Sequence, residues 1–94
     1  MIENFDTGRL LMTRSVNDNI ADSETFAKEI TVALQKYIKM DWGEMCKSDK
    51  KLNDAAVRTG NDRIVAAYNT VNGKIYIITE NDRSYTTILF ADEY

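Results

Sequence analysis

The 94-residue chain contains no histidine and no proline, and it has one cysteine and four glycines. The absence of histidine excludes imidazole general bases, histidine-ligated zinc and histidine-based pH switches. A single cysteine, Cys46, excludes an internal disulfide framework and any metal site built from several cysteines. Because the glycines stand far apart, the sequence has no glycine-rich phosphate-binding loop. Without proline, turns must rely on glycine, asparagine, aspartate and serine.

Membrane and secretion signals are also missing from the sequence. No apolar stretch approaches the ~20 consecutive residues that a membrane span needs. The beginning, MIENFDTGRLLM, has acidic residues before any base and only a short apolar run, which is not typical of a signal peptide. Together with the single cysteine, these features predict a cytoplasmic protein.

The charge balance is mildly acidic. Lysine and arginine number 12, aspartate and glutamate number 15, and the formal net charge is −3. This balance disfavours a basic nucleic-acid binder, and it falls far short of the dense negative charge of a protein that mimics DNA. Hydrophobic residues make up 44% of the chain, a share that is too high for disorder and predicts one small domain over 1–94.

The N-terminal segment gives weak structural signals. We expect residues 1–8 to be frayed and residues 9–16 to form a short strand or an extended arm. Asparagine and aspartate at 17–19 then favour a turn, followed by a bend at 20–21.

Two helices are predicted in the middle of the chain. The longer runs over about 23–39, with Ser23 as its N-cap and apolar residues at helical spacing along one face. The shorter runs over about 48–58, with Ser48 as its N-cap and Gly60 as its stop. The long helix presents the stronger apolar face, so we expect it to pack on the core.

The last third of the chain changes to alternating spacing and predicts three strands, over about 62–70, 74–80 and 84–90. Asn72-Gly73 is a strong hairpin signal, because both positions of such a turn favour positive φ. Asn81-Asp82 provides the second turn. The predicted fold class is therefore α+β, with N-terminal helices packed on a three-stranded antiparallel meander, and an added N-terminal strand stays open.

Two-residue loops would set Tyr68 opposite Ile77 and Ile77 opposite Thr86. One face of the sheet then carries Ile64, Ala66, Tyr68, Ile75, Ile77, Ile88 and Phe90, and we expect the long helix to cover it. The other face carries Val65, Ala67, Tyr76, Ile78, Tyr85 and Leu89. This second face is more apolar than a water-facing sheet needs, so the second helix, the N-terminal segment or a partner must cover it.

Five stretches of the sequence stand out together: MTRSVNDNIAD at 12–22, FAKEI in the long helix, DWGEM at 41–45, DKKLND at 49–54 and IYIITENDRSYTTILFADEY at 75–94. They resemble the small uncharacterised proteins labelled plasmid-related, which occur on plasmids and other mobile elements of bacteria. Ala91 stands where that family has proline, which affects the geometry of the tail. The resemblance implies no catalytic residues. It implies an accessory gene of a mobile element, a context in which small proteins often inhibit host defence, as anti-CRISPR and anti-restriction factors do.

The candidate partner-binding residues fall in three places, and each has a structural alternative. They are Trp42 and Glu44 after the long helix, Glu80, Asp82 and Arg83 at the second turn, and Asp92 and Glu93 in the tail. Trp42 is either an exposed anchor or a plug at one end of the core. The acidic residues form two separate patches, which either engage a basic nucleic-acid channel of a partner or are simply solvated. Arg83 reaches a partner's carboxylate or phosphate, or has a structural role in which it caps local carbonyls or pairs with Glu80 across the hairpin.

Metal and nucleophile chemistry are poorly supported. Asn17, Asp18, Asp22 and Glu24 lack the spacing of a calcium loop, so they more naturally cap turns and the long helix. Cys46 has nearby lysines but no histidine that could act as its base. We therefore assign no catalytic residue, no metal ligand and no cofactor.

Tyr68, Tyr76 and Tyr85 resemble a stacking platform for nucleic-acid bases. No basic stripe accompanies them, and Tyr68 falls on the opposite face from the other two. Cross-strand packing explains these rings better than direct nucleic-acid binding does.

Three functions are thus carried forward. The first is a non-enzymatic inhibitor that occludes a host defence protein, such as a CRISPR or restriction nuclease. The second is a homodimeric structural or regulatory protein that buries its second sheet face against itself. The third is a metal-dependent enzyme acting on nucleic acid, with Asp18, Asp22, Glu80 and Asp82 as first suspects.

Overall fold

The computed structural model describes residues 5–94, and this part of the chain has an α+β fold with three α-helices and one four-stranded sheet. In chain order the elements are β1 Arg9–Met12, α1 Arg14–Asp22, α2 Glu24–Ile38, α3 Lys47–Thr59, β2 Ile64–Thr70, β3 Gly73–Thr79, β4 Tyr85–Phe90 and a short 3-10 turn, Ala91–Glu93. The expected fraying of residues 1–4 lies outside the described residues.

The sheet is mixed, with the strand order β1-β4-β3-β2. Strands β2, β3 and β4 form the predicted antiparallel meander. Strand β1 is the added N-terminal strand that the sequence left open, and it pairs with β4 in parallel. The purely antiparallel arrangement is therefore wrong for the whole sheet, because the chain crosses over between β1 and the meander through the helices.

Residues 5–8 pack against the rest of the fold, which corrects the expected fraying of this segment. The ring of Phe5 meets the ring of Tyr37 edge-on, with 5.4 Å between their centroids. Gly8 has a φ of +62°, and a Cβ at this position would lie 2.3 Å from the carbonyl oxygen of Arg83. Glycine therefore lets the arm pass directly beside the second turn of the meander.

Helix α1 occupies the segment for which a turn and a bend were predicted, and the strand before it ends at Met12 rather than near residue 16. The side chain of Thr13 caps the helix by accepting a hydrogen bond from the N–H of Val16, 3.3 Å away. Val16 is fully buried, and Ile20, one turn later, packs against the same core. Val16 and Ile20 are the two large apolar residues of this nine-residue helix, a pattern too sparse to be recognised in the sequence.

Helices α2 and α3 agree closely with their predictions. Ser23 caps α2 by accepting a hydrogen bond from the N–H of Phe26, at 3.1 Å. Helix α3 ends at Gly60, which has a φ of +73° in the left-handed region. Its N-cap is Cys46 and not Ser48, so the predicted cap residue was wrong by two positions.

Both hairpins have a register two residues away from the predicted one. The first loop consists of Val71 and Asn72, so that Tyr68 pairs with Ile75 instead of Ile77. The hydroxyl of Thr70 holds this turn, because it accepts from the N–H of Asn72 at 3.1 Å and donates to the carbonyl of Gly73 at 2.6 Å.

The second hairpin pairs Ile77 with Ile88 instead of Thr86. Its loop is longer than predicted, because Arg83 takes a φ of +61° and its N–H bonds the carbonyl of Glu80 at 2.9 Å. A shift of two residues keeps every side chain on its predicted face. The division of the sheet into two faces is therefore correct.

The core lies between the helices and one face of the sheet, which we call the inner face. Its buried members are Val16, Phe26, Ile30, Ala33, Tyr37, Trp42, Ala56, Ile64, Ala66, Tyr68, Ile75, Ile77 and Ile88. The ring of Phe26 stacks on that of Phe90 at 5.6 Å. The prediction that the long helix covers this face is thus confirmed.

A chain of hydrogen bonds crosses the buried end of the inner face. Thr86 Oγ1 donates to the carbonyl of Thr7 at 2.6 Å, so Thr79 must donate to Thr86 at 2.7 Å. Thr79 can then only accept from the hydroxyl of Tyr37, also at 2.7 Å, and this contact is shorter than the 3.3 Å from the same hydroxyl to the carbonyl of Ile64. Burial raises the pKa of Tyr37 above its usual range, which keeps this donor protonated.

Candidate functional site

The second face of the sheet, which we call the outer face, consists of Leu11, Val65, Ala67, Tyr76, Ile78, Tyr85, Thr87 and Leu89. The register aligns Val65, Ile78, Thr87 and Leu11 in one row across all four strands. A second row contains Ala67, Tyr76 and Leu89. The outer face is therefore a continuous surface of methyl groups and aromatic rings.

Burial differs between the middle and the rim of the outer face. Ala67, Ile78 and Leu89 are buried but do not belong to the helix-packed core. Leu11 and Tyr85, at the β1 and β4 side, are each 38% exposed. The result is an apolar floor with an accessible aromatic and aliphatic rim, which is typical of a surface that binds a partner.

The helices contact the sheet elsewhere. Tyr37 of α2 bonds Thr79 on the inner face. Asn53 of α3 lies at the outer edge of β2. Its side-chain Nδ2 donates to the carbonyl of Val65 at 2.8 Å, and its Oδ1 accepts from the N–H of Val65 at 3.2 Å. The second helix therefore protects the edge of the sheet rather than its outer face.

Tyr94, the last residue of the sequence, covers part of the outer face. The ring of Tyr94 meets that of Tyr76 edge-on, with centroids 5.5 Å apart. Arg63 donates a hydrogen bond to the Tyr94 hydroxyl, and its guanidinium carbon lies 5.9 Å from the ring centroid. Tyr94 remains 66% exposed, so it extends the aromatic surface instead of closing it.

Sequence reasoning missed Tyr94 and Arg63 and treated the tail only as an acidic patch. The available signal was that the aromatic Tyr94 follows shortly after β4, the strand that pairs with β3 and its Tyr76. That signal needs the 3-10 turn over Ala91–Glu93 to bring the chain back over the sheet, and a single sequence does not specify this turn.

Two cations lie on the same side of the sheet as the aromatic rim. Arg9 of β1 pairs with Tyr85 of β4, and the N–H of Glu80 donates to the carbonyl of Tyr85 at 3.1 Å. Arg63 precedes β2 at the same end of the sheet. The rim therefore combines tyrosine with arginine, two residue types that are enriched in binding hot spots.

Trp42 is a structural residue. Its side chain is 2% exposed and its ring lies 5.4 Å from that of Tyr37. The indole N–H donates to Asp54 at 2.9 Å. Of the two interpretations of Trp42, the structure supports the plug of the core, and the exposed anchor is wrong.

Glu44, the neighbouring candidate, is exposed at the edge of β2. Its N–H donates to the carbonyl of Ala67 at 2.7 Å, and its carboxylate accepts from Asn69 at 3.3 Å. Together with the Ala67 N–H, which donates to the carbonyl of Trp42 at 3.3 Å, these contacts close this edge of the sheet.

Arg83 caps local carbonyls, the structural alternative of the two that the sequence allowed. Its guanidinium donates to the carbonyl of Asp62 at 2.7 Å, of Ala56 at 2.8 Å and of Glu80 at 3.1 Å. It therefore joins the second turn, the end of α3 and the start of β2. Arg83 therefore bonds the main-chain carbonyl of Glu80 and not its carboxylate.

The acidic candidates occupy the two opposite ends of β4. Asp82 is exposed in the second turn, where hydrogen bonds from Ser84 lower the pKa of its carboxyl. Asp92 and Glu93 follow the other end of the strand. Glu93 accepts from the hydroxyl of Thr13 at 2.9 Å and from the N–H of Phe90 at 2.8 Å. The structure does not bring the two acidic groups together.

A groove of about 330 Å³ lies between α2 and the end of β2, with Val32, Ala33 and Tyr68 in its wall. The polar groups beside it already have partners. Glu29 accepts from the N–H of Val71 at 3.0 Å, and the Tyr68 hydroxyl donates to the carbonyl of Asp41 at 2.6 Å. The groove is therefore a weaker candidate than the outer face.

Within residues 5–94, no three or more cysteine, aspartate or glutamate side chains come together in a way that could hold a metal ion. The four suspected carboxylates, Asp18, Asp22, Glu80 and Asp82, thus form no such group. The helices of this region are also too short or too polar to cross a membrane. Comparisons of the chain with protein-family models, curated proteins and solved structures find no match.

Proposed function

We propose that this chain is a non-enzymatic binding protein that recognises a protein partner through the outer face of its sheet. The observation that carries the proposal is the exposed rim of Leu11, Tyr85 and Tyr94 around the buried Ala67, Ile78 and Leu89 of the outer face. Leu11 and Tyr85 are already fixed on strands by folding, so little of their conformational entropy is lost when a partner docks. The groups on this surface are suited to packing and hydrogen bonding.

The proposed partner is a host defence nuclease of the CRISPR or restriction type, and the protein acts in the cytoplasm by occluding it. This assignment rests on the resemblance to proteins of bacterial mobile elements. The exposed arginines beside the tyrosines suit a partner surface that contains carboxylates. The acidic residues at the two ends of β4 are available to the basic rim of a nucleic-acid channel.

The test mixes the purified protein with a panel of defence nucleases and measures both the mass of the species in solution and DNA cleavage. We expect a complex of fixed stoichiometry with one class of nuclease and loss of its cleavage. The variant Tyr85→Thr removes a rim ring and keeps a good strand former, and it should abolish both effects. The variant Leu52→Gln removes an exposed leucine of α3 and should change neither.

Two results would contradict the proposal. One is inhibition that is unchanged by Tyr85→Thr, which would place the binding surface elsewhere. The other is tight binding of single-stranded oligonucleotides by the protein alone, which would make the tyrosines a stacking platform for bases.

A further inference from the structure

In the part of the chain that the structure describes, no strand pairs with the outer side of β1, whereas the segment 42–44 and Asn53 close the opposite edge of the sheet at β2. The N–H of Arg9 donates to Ser84 and the N–H of Thr13 donates to Ile88, both at 3.1 Å. Because main-chain groups alternate along a strand, those of Leu10 and Met12 point away from the sheet. Within residues 5–94 these outward groups have no hydrogen-bond partner.

The side chains of β1 do not protect this edge. Leu10 is 49% exposed and Leu11 is 38% exposed. Natural edge strands usually carry lysine, proline or a bulge that prevents pairing with another chain. Strand β1 reads RLLM and has a single charge at its start. An edge of this kind is a template for strand addition.

We propose that a second copy of this chain pairs with β1 in antiparallel fashion about a two-fold axis at Leu11, which joins the two sheets into one of eight strands. The inference shares Leu11 with the proposed partner surface, but it concerns the edge of the sheet and needs no other partner. The same patch of both copies forms such an interface.

The register follows from which main-chain groups are free. With the axis at Leu11, Leu10 faces Met12 of the second copy and all outward groups of both residues are paired. An axis at Leu10 would need Gly8, whose N–H already donates to Asp6 at 2.9 Å. An axis at Met12 would need Arg14, which is the first residue of α1.

Charge complementarity supports the same register. With the axis at Leu11, Arg9 lies opposite Thr13 of the second copy. The hydroxyl of Thr13 donates to one carboxylate oxygen of Glu93, and that same oxygen also accepts from Phe90. The other oxygen of Glu93 is available to the guanidinium of Arg9 from the second copy. The two-fold axis makes two such ion pairs.

The dimer would present both outer faces on one side, because Leu11 lies on the outer face in each copy. The contact is short, so we expect association in the micromolar to millimolar range. A partner with two equivalent sites would then bind the pair more tightly than either copy alone.

The first test is a disulfide trap in the Cys46→Ser background, which removes the exposed native thiol. Leu11→Cys places two thiols at the axis, where opposed residues of a non-hydrogen-bonded pair have Cβ atoms about 5 Å apart. Arg9→Cys is the matched control, because its two copies would lie about 13 Å apart and beyond the reach of a disulfide. We expect a covalent dimer from Leu11→Cys only. Equal yields from both variants, or no dimer from either, would overturn the proposal.

The second test is sedimentation of the unmodified protein without any partner, from about 1 µM to about 1 mM. We expect the mass to rise toward twice the 10.8 kDa of the chain. Leu11→Lys and Arg9→Glu should stay monomeric at the highest concentration, and Leu52→Lys should dimerise normally. A monomer at every concentration, or dimerisation unchanged in Leu11→Lys, would overturn the proposal. Neither result depends on whether a nuclease binds.

Discussion

Arg83 donates a hydrogen bond to the main-chain carbonyl of Ala56 across 2.8 Å, and this contact ties the β3–β4 turn to the last turns of α3. The same guanidinium also reaches the carbonyls of Asp62 and Glu80. One side chain therefore joins its own turn to Asp62 and Ala56, which lie 21 and 27 residues away in sequence. The forked geometry of arginine suits this role, and the single ammonium of lysine does not.

Replacement of Arg83 should lower stability without a change in the partner-binding face. We expect Arg83→Lys to lose about 2 kcal/mol of unfolding free energy, because the hydrogen bonds from a charged donor are lost while the carbonyls stay half-buried. Urea unfolding followed by circular dichroism measures the loss. Arg58→Lys, at an exposed position of α3, is the control. Equal stability of the two variants would show that the fork is not needed.

Trp42, the single tryptophan, should report a buried site. We expect its fluorescence to resist quenching by iodide in the native protein, since its ring is enclosed by Tyr37 and Phe5. Trp42→Ala should cost about 3–5 kcal/mol through the cavity that it leaves. Chemical unfolding measures this loss, and quenching as strong as that of free tryptophan would contradict the account.

The hydrogen-bond chain through Thr86 and Thr79 can be tested with a matched control, because Thr87 is the next residue and lies on the opposite face of the sheet. Thr86→Val leaves the carbonyl of Thr7 without a donor and removes the acceptor of the Thr79 hydroxyl, which keeps only its contact with Tyr37, and should cost about 1–3 kcal/mol. Thr87→Val changes the neighbouring residue on the outer face and should stay within about 0.5 kcal/mol of the native protein. Thermal unfolding of the two variants distinguishes them. A cost for Thr86→Val that is no larger than that for Thr87→Val would contradict the stabilising role of this hydrogen-bond chain.

The two buried tyrosines should make the protein sensitive to alkali. Desolvation raises the pKa of Tyr37 and of Tyr68 above the ordinary value of 10.0. The unfolded chain therefore releases protons above about pH 10 that the folded chain retains. Stability should be fully present below that pH and should fall as pH rises above it.

Tyr37→Phe and the control Leu52→Gln separate this effect from general alkaline damage. The slope of melting temperature against pH between about 9 and 11 should become shallower in Tyr37→Phe, because one buried phenol no longer titrates on unfolding. Leu52→Gln, which removes no phenol, should keep the native slope. Identical slopes in all three proteins would contradict the assignment of the pH dependence to burial.

Local sequence signals predicted a large part of this fold. Ser23 and Gly60 marked their helix ends because capping depends on neighbouring residues alone. The alternation in the last third assigned each strand residue to its correct face. The register failed by two residues because the hydroxyl of Thr70 and the positive φ of Arg83 decide the loop lengths.

The failures share one physical origin, which is dependence on tertiary contacts. Helix α1 is held by Val16 and Ile20 against a core built from distant segments, so its own sequence looks like a turn. Strand β1 becomes a strand because β4 offers it an edge. At the candidate site, alternation predicted the apolar outer face. The contribution of Tyr94 and Arg63 depends on how the chain returns after β4.

The most direct test of the central claim is a calorimetric titration of the nuclease that the mixing experiment identifies, with native protein, Tyr85→Thr and Leu52→Gln. We predict that Tyr85→Thr weakens binding by about 30-fold or more, as expected for a hot-spot ring worth about 2 kcal/mol. Leu52→Gln should bind like the native protein. Equal affinity of Tyr85→Thr and the native protein would contradict recognition through the outer face.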